Sequence, residues 1–220
     1  MRMLTQISGS RTGKLLPTGS VTNKFDGIQT TCIDVGNPIV FVQADDLGID
    51  GAILPHELIK HHTDVLQRLE TIRYQTAIGI GIANEDMKTL PKSVPKICMV
   101  SRLKRYFLLS GEEVEQSSVD LVVRPISQES QSHRTCQITV ALGAAAEMRD
   151  LVMKNMLSHG RVVNDSLTIG HPSGTMVVSA KFINQAGSTE IVLDHVTVFR
   201  TARRIMDGEP YWNLREEIQN

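Results

Sequence analysis

Three short stretches of this chain carry side chains able to hold and work on an organic acid. Gly36-Asn37-Pro38 is a turn motif whose Asn offers a primary amide, a group that donates two hydrogen bonds to a carboxylate without itself titrating. The same tripeptide also serves as a plain turn, because Asn tolerates unusual backbone geometry. Gly170-His171-Pro172-Ser173-Gly174 gathers an imidazole, a hydroxyl and flexible glycine positions. A carboxylate there would meet His171 as an imidazolium, the Ser173 hydroxyl and the N–H groups around Gly174. Pro-Ser-Gly is equally a good connection between two strands. The third stretch, Ser132 to Ala141, contains His133, Cys136 and Thr139 and leads into an apolar run with helical spacing. Helix N-termini carry unpaired N–H groups and partial positive charge, so anions bind well there. A thiol at such a start would have its thiolate stabilised, while the plainer alternative for Cys136 is a packed core cysteine.

Other clusters point away from chemistry. Arg200, Arg203 and Arg204 lack aromatic interleaving and a wider basic stripe, so carboxylate pairing that pins a chain terminus suits them better than nucleic acid. His56, His61 and His62 sit on one helical stretch, but adjacent His rings point in different directions, and no metal is expected.

Composition narrows the setting. Lys and Arg number 23 against 24 Asp and Glu in 220 residues, so no overall field would hold a polyanion or an acidic membrane surface. Cys32, Cys98 and Cys136 are odd in number and show no CxxC spacing, which argues against a disulfide framework or a zinc ribbon and for a reducing, cytoplasmic setting. No apolar run approaches the ~20 residues of a membrane-spanning helix. The first acidic residue is Asp26, and Arg2, Arg11 and Lys14 lend the opening a faint mitochondrial-transit character, a minor alternative for localisation.

The elements that must position these residues follow from periodicity. Gly27 to Val42 reads as strands around a turn at Gly36-Asn37-Pro38. Pro55 to Ala83 reads as one helix, with Pro55 in its first turn and Gly79 and Gly81 marking its end. Met87 to Pro95 is a polar connection, and strands at Lys96–Arg102 and Val119–Pro125 flank an exposed acidic loop at Gly111-Glu112-Glu113. A second helix over about Thr135 to Met156 is apolar on nearly every face and so is buried all round. Strands return at Ser166–Ile169, Thr175–Phe182 and Glu190–Phe199, with a turn at Asn184–Gly187 and a frayed polar tail over Asn213–Asn220. Antiparallel strands enclosing an apolar helix give a β-rich α+β fold.

Taken together, Asp34 to Val42, Gly170 to Gly174 and Arg200-Thr201-Ala202-Arg203-Arg204-Ile205-Met206-Asp207-Gly208 resemble the 2-methylaconitate cis-trans isomerase (PrpF) family. Leu16-Pro17-Thr18-Gly19, Asp46-Leu47-Gly48, Glu70-Thr71-Ile72-Arg73 and Arg124 to Ala141 extend the resemblance over most of Gly13 to Gly208. It implies one lobe of a diaminopimelate epimerase-like fold, the second, with strands wrapped around a buried central helix and the active site in a cleft between lobes. The domain division expected is an N-terminal segment 1–26 left from the inter-lobe connection, a single lobe 27–212 and a polar tail 213–220. The resemblance further implies Asn37, Thr139, His171, Ser173 and Gly174 as substrate-binding residues. Val140 stands where the family has Gly, and a β-branched side chain there impedes close backbone approach.

The implied reaction is a cofactor-independent isomerisation or tautomerisation of unsaturated tricarboxylic acids by proton abstraction and return. The bases attributed to it, a Lys and a Cys, belong to a Ser-Lys segment and a Cys-Gly-Asn turn of the family's first lobe. Neither occurs here, and Gly9-Ser10-Arg11-Thr12-Gly13-Lys14 is no substitute. Cys136, close to where related racemases carry a catalytic thiol, and His133 are therefore the catalytic candidates. Two arrangements stay open: an isomerase whose cleft is completed by a homodimer, or a truncated or split, inactive lobe that binds such acids, a separate first lobe or another protein. The racemase branch fits less well, because Arg200-Thr201-Ala202-Arg203-Arg204 is foreign to its pattern. Methylaconitate, aconitate and oxalomesaconate types differ by too little to leave a readable motif.

Overall fold

The structure, a computed structural model, describes residues 9–84, 94–127, 131–147, 166–184, 191–199 and 207–208. The strands are β1 (Asn23–Phe25), β2 (Ile28–Asp34), β3 (Pro38–Gln43), β4 (Lys96–Ser101), β5 (Tyr106–Phe107), β6 (Glu113–Val114), β7 (Leu121–Ser127), β8 (Gln131–Ser132), β9 (Ser166–His171), β10 (Gly174–Asn184) and β11 (Ile191–Phe199). The helices are α1 (Pro55–His61), α2 (Thr63–Gly79) and α3 (Ile138–Glu147). Most of the Met87–Pro95 connection, the end expected of the second helix beyond Glu147, the expected Asn184–Gly187 turn after Asn184, Arg200, Arg203, Arg204 and the tail lie outside the described residues.

One sheet runs in the order β1-β2-β3-β4-β7-β9-β10-β11, with β8 paired to β7. It is mixed rather than antiparallel throughout: β3 pairs parallel with β4, and β7 with β9. The cause is the connections. The α1–α2 pair lies between β3 and β4, and α3 between β7 and β9, so each of these strands re-enters the sheet after a helical crossover.

Helix α3 explains why the sheet curls. It packs against β2 near one end of the strand order and against β9, β10 and β11 at the other. Val140, Ala141, Ala144 and Ala145 are wholly buried, as an all-apolar helix requires. Small side chains let the strands approach, most closely at Gly143, where a Cβ would lie 2.9 Å from Ile39 Cδ1. The other face of β2 and β3 carries Cys32, Val40 and Val42 against Leu58, Leu66, Leu69 and Ile72 of α1 and α2. Burial on both faces is why Ile39-Val40-Phe41-Val42 is an unbroken apolar run.

The expected helix from Pro55 to Ala83 is two helices, broken at His62 (φ −135°, ψ 48°). His61-His62-Thr63-Asp64 is a run of weak helix formers, and Pro55 and a Glu57 carboxylate bonded to the Leu54 N–H start α1 as expected of a helix N-terminus. The second helix begins at Ile138, three residues after the expected Thr135. Gly111-Glu112-Glu113 is exposed as expected, but it belongs to a small β5–β6 hairpin, with Gly111 at φ 84°. Among the described residues no helix is long and apolar enough to cross a membrane.

Candidate functional site

Chain segments distant in sequence meet at the N-terminal end of α3. Gln137 begins the helix, its carbonyl accepting the Ala141 N–H at 3.0 Å. Over this first turn lies the β2–β3 turn: Gly36 takes φ 72°, and a Cβ on it would stand 3.7 Å from Leu142 Cδ1 and 3.9 Å from Thr139 Cγ2. Asn37 follows directly, partly exposed, so Asn37 and Thr139 share one rim. From the other side comes the tight β9–β10 hairpin, in which His171 pairs with Gly174 across Pro172-Ser173. The Ser173 hydroxyl donates to the Arg134 carbonyl at 2.6 Å and ties the hairpin tip to the loop bearing His133 and Cys136.

Two residues not singled out in the sequence join this rim. Lys96 opens β4 and sits opposite Ile39 in the parallel β3–β4 register, beside the Gly36-Asn37 turn. Its ammonium donates to Gln137 Oε1 at 2.8 Å, and Gln137 Nε2 lies 2.8 Å from His133 Nε2. The ammonium holds the amide oxygen toward itself, so the amide N–H group faces the ring. Inferred from this network, His133 accepts at Nε2 and carries its proton on Nδ1. Burial, reinforced by the Lys96 charge, holds the imidazole below its ordinary pKa. Burial likewise lowers the Lys96 ammonium. In sequence the only trace of Lys96 is a lone cation heading the apolar strand Ile97–Val100; the register supplies the rest.

Several electrostatic expectations are corrected. His171 is not an imidazolium at neutral pH, because burial and then the nearby Arg124 charge push its pKa down to about 4. Its Nδ1 instead accepts the Ser173 N–H at 3.2 Å. Arg124 is wholly buried and donates to the carbonyls of Ile53, Ala52 and Val123 at 2.7, 2.7 and 2.9 Å. Its guanidinium lies 5.4 Å from the centroid of the Tyr106 ring, and the Tyr106 hydroxyl donates to the Gly174 carbonyl at 3.3 Å. Gly170 is required here, since a Cβ would come within 2.5 Å of that hydroxyl oxygen. Cys136 is not a stabilised thiolate: burial pushes its thiol up to about 12. It precedes the helix and is packed in the α3 core.

Asp34, two residues before Gly36, holds residues 10–12 in place. The carboxylate accepts Ser10 Oγ (2.7 Å), the Arg11 and Thr12 N–H groups (2.9 Å each) and Thr12 Oγ1 (2.9 Å). Burial works to raise the Asp34 pKa, and these bonds overcome it and hold it low. A separate shallow recess at the β1–β2 edge, lined by Thr22, Lys24, Gln29 and Asp46, shares no residue with the rim.

A family model described as "PrpF protein" matches residues 3–213. The 3-methylitaconate isomerase of Eubacterium barkeri is 34% identical over 93% of this chain and 54% of the relative. The 2-methyl-aconitate isomerase of Shewanella oneidensis is 31% identical over 89% of this chain and 50% of the relative. A crystal structure of methylitaconate-delta-isomerase superposes with a TM-score of 0.70 at 29% identity, over 88% of this chain and 51% of that one. The chain thus spans about half the length of the relatives it matches.

Proposed function

Since the chain belongs to the PrpF protein family, we propose that it serves a cofactor-independent isomerisation of unsaturated tricarboxylic acids of the 2-methylaconitate, aconitate or oxalomesaconate type. A proton is removed beside a carboxylate-activated double bond and returned elsewhere on the same carbon frame. The observation that supports this reading is the convergence of Asn37, Thr139, Gln137, His133 and the His171–Gly174 hairpin on one end of α3. Amide donors, helix N–H groups and a neighbouring ammonium there suit a polycarboxylate. Gly174 and His171 border this end through the hairpin, with Ser173 holding it in place.

A second reading, a lobe that binds such acids without turning them over alone, is favoured by the state of the two catalytic candidates. Cys136 stays a thiol at neutral pH, and the His133 lone pair is occupied by Gln137. On this reading the proton-moving groups come from a facing lobe, a separate chain or a second copy. Proton NMR in deuterated water with a panel of unsaturated tricarboxylic acids decides between them. Deuterium incorporation and double-bond movement that His133→Ala or Cys136→Ala abolishes establishes a base in this lobe. Binding without exchange assigns the binding role, and neither binding nor exchange sinks both.

A further inference from the structure

Lys96 holds a position that its structural role leaves unexplained. A half-buried ammonium ordinarily sits against a carboxylate, because losing part of its hydration without an anion is costly. Among the described residues the structure records no carboxylate bonded to Lys96; its hydrogen-bond partner is the neutral Gln137 amide. Carboxylate pairing does occur elsewhere among the described residues, where Arg68 meets Asp26, Lys104 meets Asp50 and Arg105 meets Glu113.

The geometry supports a ligand rather than a vacancy in packing. Lys96, Gln137, His133, Thr139 and Asn37 each keep part of their surface in solvent, while the strand and helix positions behind them, Ile97, Val140 and Ala141, are buried. The cation is therefore fixed at its base by β4 and faces outward on the rim. Gln137 spends its oxygen on Lys96 and an N–H on His133, so it orients the ammonium without neutralising it. An ammonium has three donors, which leaves donors for an incoming anion. Asn37 stands two residues before Ile39, the residue opposite Lys96 in the β3–β4 register, and one position before β3 begins.

Resting on the isomerase-family reading above, we propose that Lys96 is a substrate-binding residue, the cation that anchors one carboxylate of a tricarboxylic acid at the mouth of α3, with Gln137 as its positioning residue. The anion then replaces the missing counter-charge, and the field of Lys96 on His133 is cancelled when ligand is bound.

The test uses the whole chain and tricarballylate, a saturated tricarboxylate that reports binding and cannot isomerise. By isothermal titration calorimetry at constant ionic strength, Lys96→Gln is expected to weaken binding about 10- to 100-fold, as loss of a charged hydrogen bond does, while Lys96→Arg keeps most of it. An independent readout needs no variant: NMR titration of His133 in the wild-type chain should show its pKa rising when tricarballylate is saturating. Unchanged affinity in Lys96→Gln, or a His133 titration indifferent to bound ligand, overturns the role of Lys96 while leaving tricarboxylate binding, and so the family reading, intact. A wild-type chain that does not bind tricarballylate at all overturns the proposal for this lobe, and the exchange experiment above then reads the family reaction separately.

Discussion

Replacing Gly143 by alanine tests how closely the central helix is seated on the sheet that carries the Gly36-Asn37 turn. A Cβ here would stand 2.9 Å from Ile39 Cδ1, 3.3 Å from Ile33 Cγ2 and 3.4 Å from Phe41 Cε2. Carbon contacts are comfortable from about 3.5 Å, so the Ile39 tip must retreat by roughly half an ångström or more. Ile39 and Phe41 are 0% exposed and Ile33 1%, which leaves little room to retreat into. Crowding of this kind costs about 1–3 kcal/mol. Backbone entropy works the other way, since alanine is favoured over glycine inside a helix by about 0.5–1 kcal/mol. The net expectation is a loss of about 1 kcal/mol. Ile39→Val removes the Cδ1 atom itself and alone costs about 1 kcal/mol through the space it leaves. Combined, the new methyl enters that space, so the double variant should lose less than the sum of the singles by about 1 kcal/mol. Urea denaturation of the parent, both single variants and the double variant measures this coupling directly. Additivity to within about 0.3 kcal/mol, or a Gly143→Ala chain stabilised by the full helix-propensity gain, would refute the close seat of α3 on β2 and β3.

Acid should destabilise the fold before its carboxylates titrate. His171 has a folded pKa of about 4 against an ordinary 6.5, so the unfolded chain binds its proton first and stability falls as pH drops from about 6.5 toward 4. By pH 4.5 the loss is on the order of 2–3 kcal/mol, and His171→Gln should flatten that part of a urea-midpoint profile. Asp34, whose folded pKa is depressed, contributes stability above its unfolded value that is lost only at lower pH, as its folded pKa is crossed. Asp34→Asn should cost about 2 kcal/mol and strip hydrogen-exchange protection from the Arg11 and Thr12 amides; protection unchanged from the parent would contradict the clamp. Arg124→Met leaves the carbonyls of Ala52, Ile53 and Val123 without their donor and should lower stability by about 3 kcal/mol, with Arg124→Lys a poor rescue because an ammonium lacks the planar fork. A melting temperature within about 2 °C of the parent would show that those carbonyls have other partners.

Local pattern made much of this protein legible. The alternation and apolar run from Ile28 to Val42 foretold β2 and β3, the alanine-rich stretch after Gln137 foretold a helix buried all round, and both match the structure. Such features depend on side-chain period and backbone preference, which act over a few residues. Asn37, Thr139, His133 and the His171–Gly174 stretch stood out as candidates, but nothing local to them said that their segments meet at one end of α3. What the sequence by itself could not determine was set by neighbours far along the chain. The parallel register of β3 and β4 puts Lys96 beside the Gly36-Asn37 turn and within a hydrogen bond of a residue 41 positions later. Burial, and then the charge of Arg124 held between the Ala52-Ile53 carbonyls and the Tyr106 ring, keeps His171 neutral where its sequence suggested a cation. Burial in the α3 core turned Cys136 from a stabilised thiolate into an inert thiol. Charge state depends on solvation and on charges a few ångströms away in space, and only the tertiary structure sets either one.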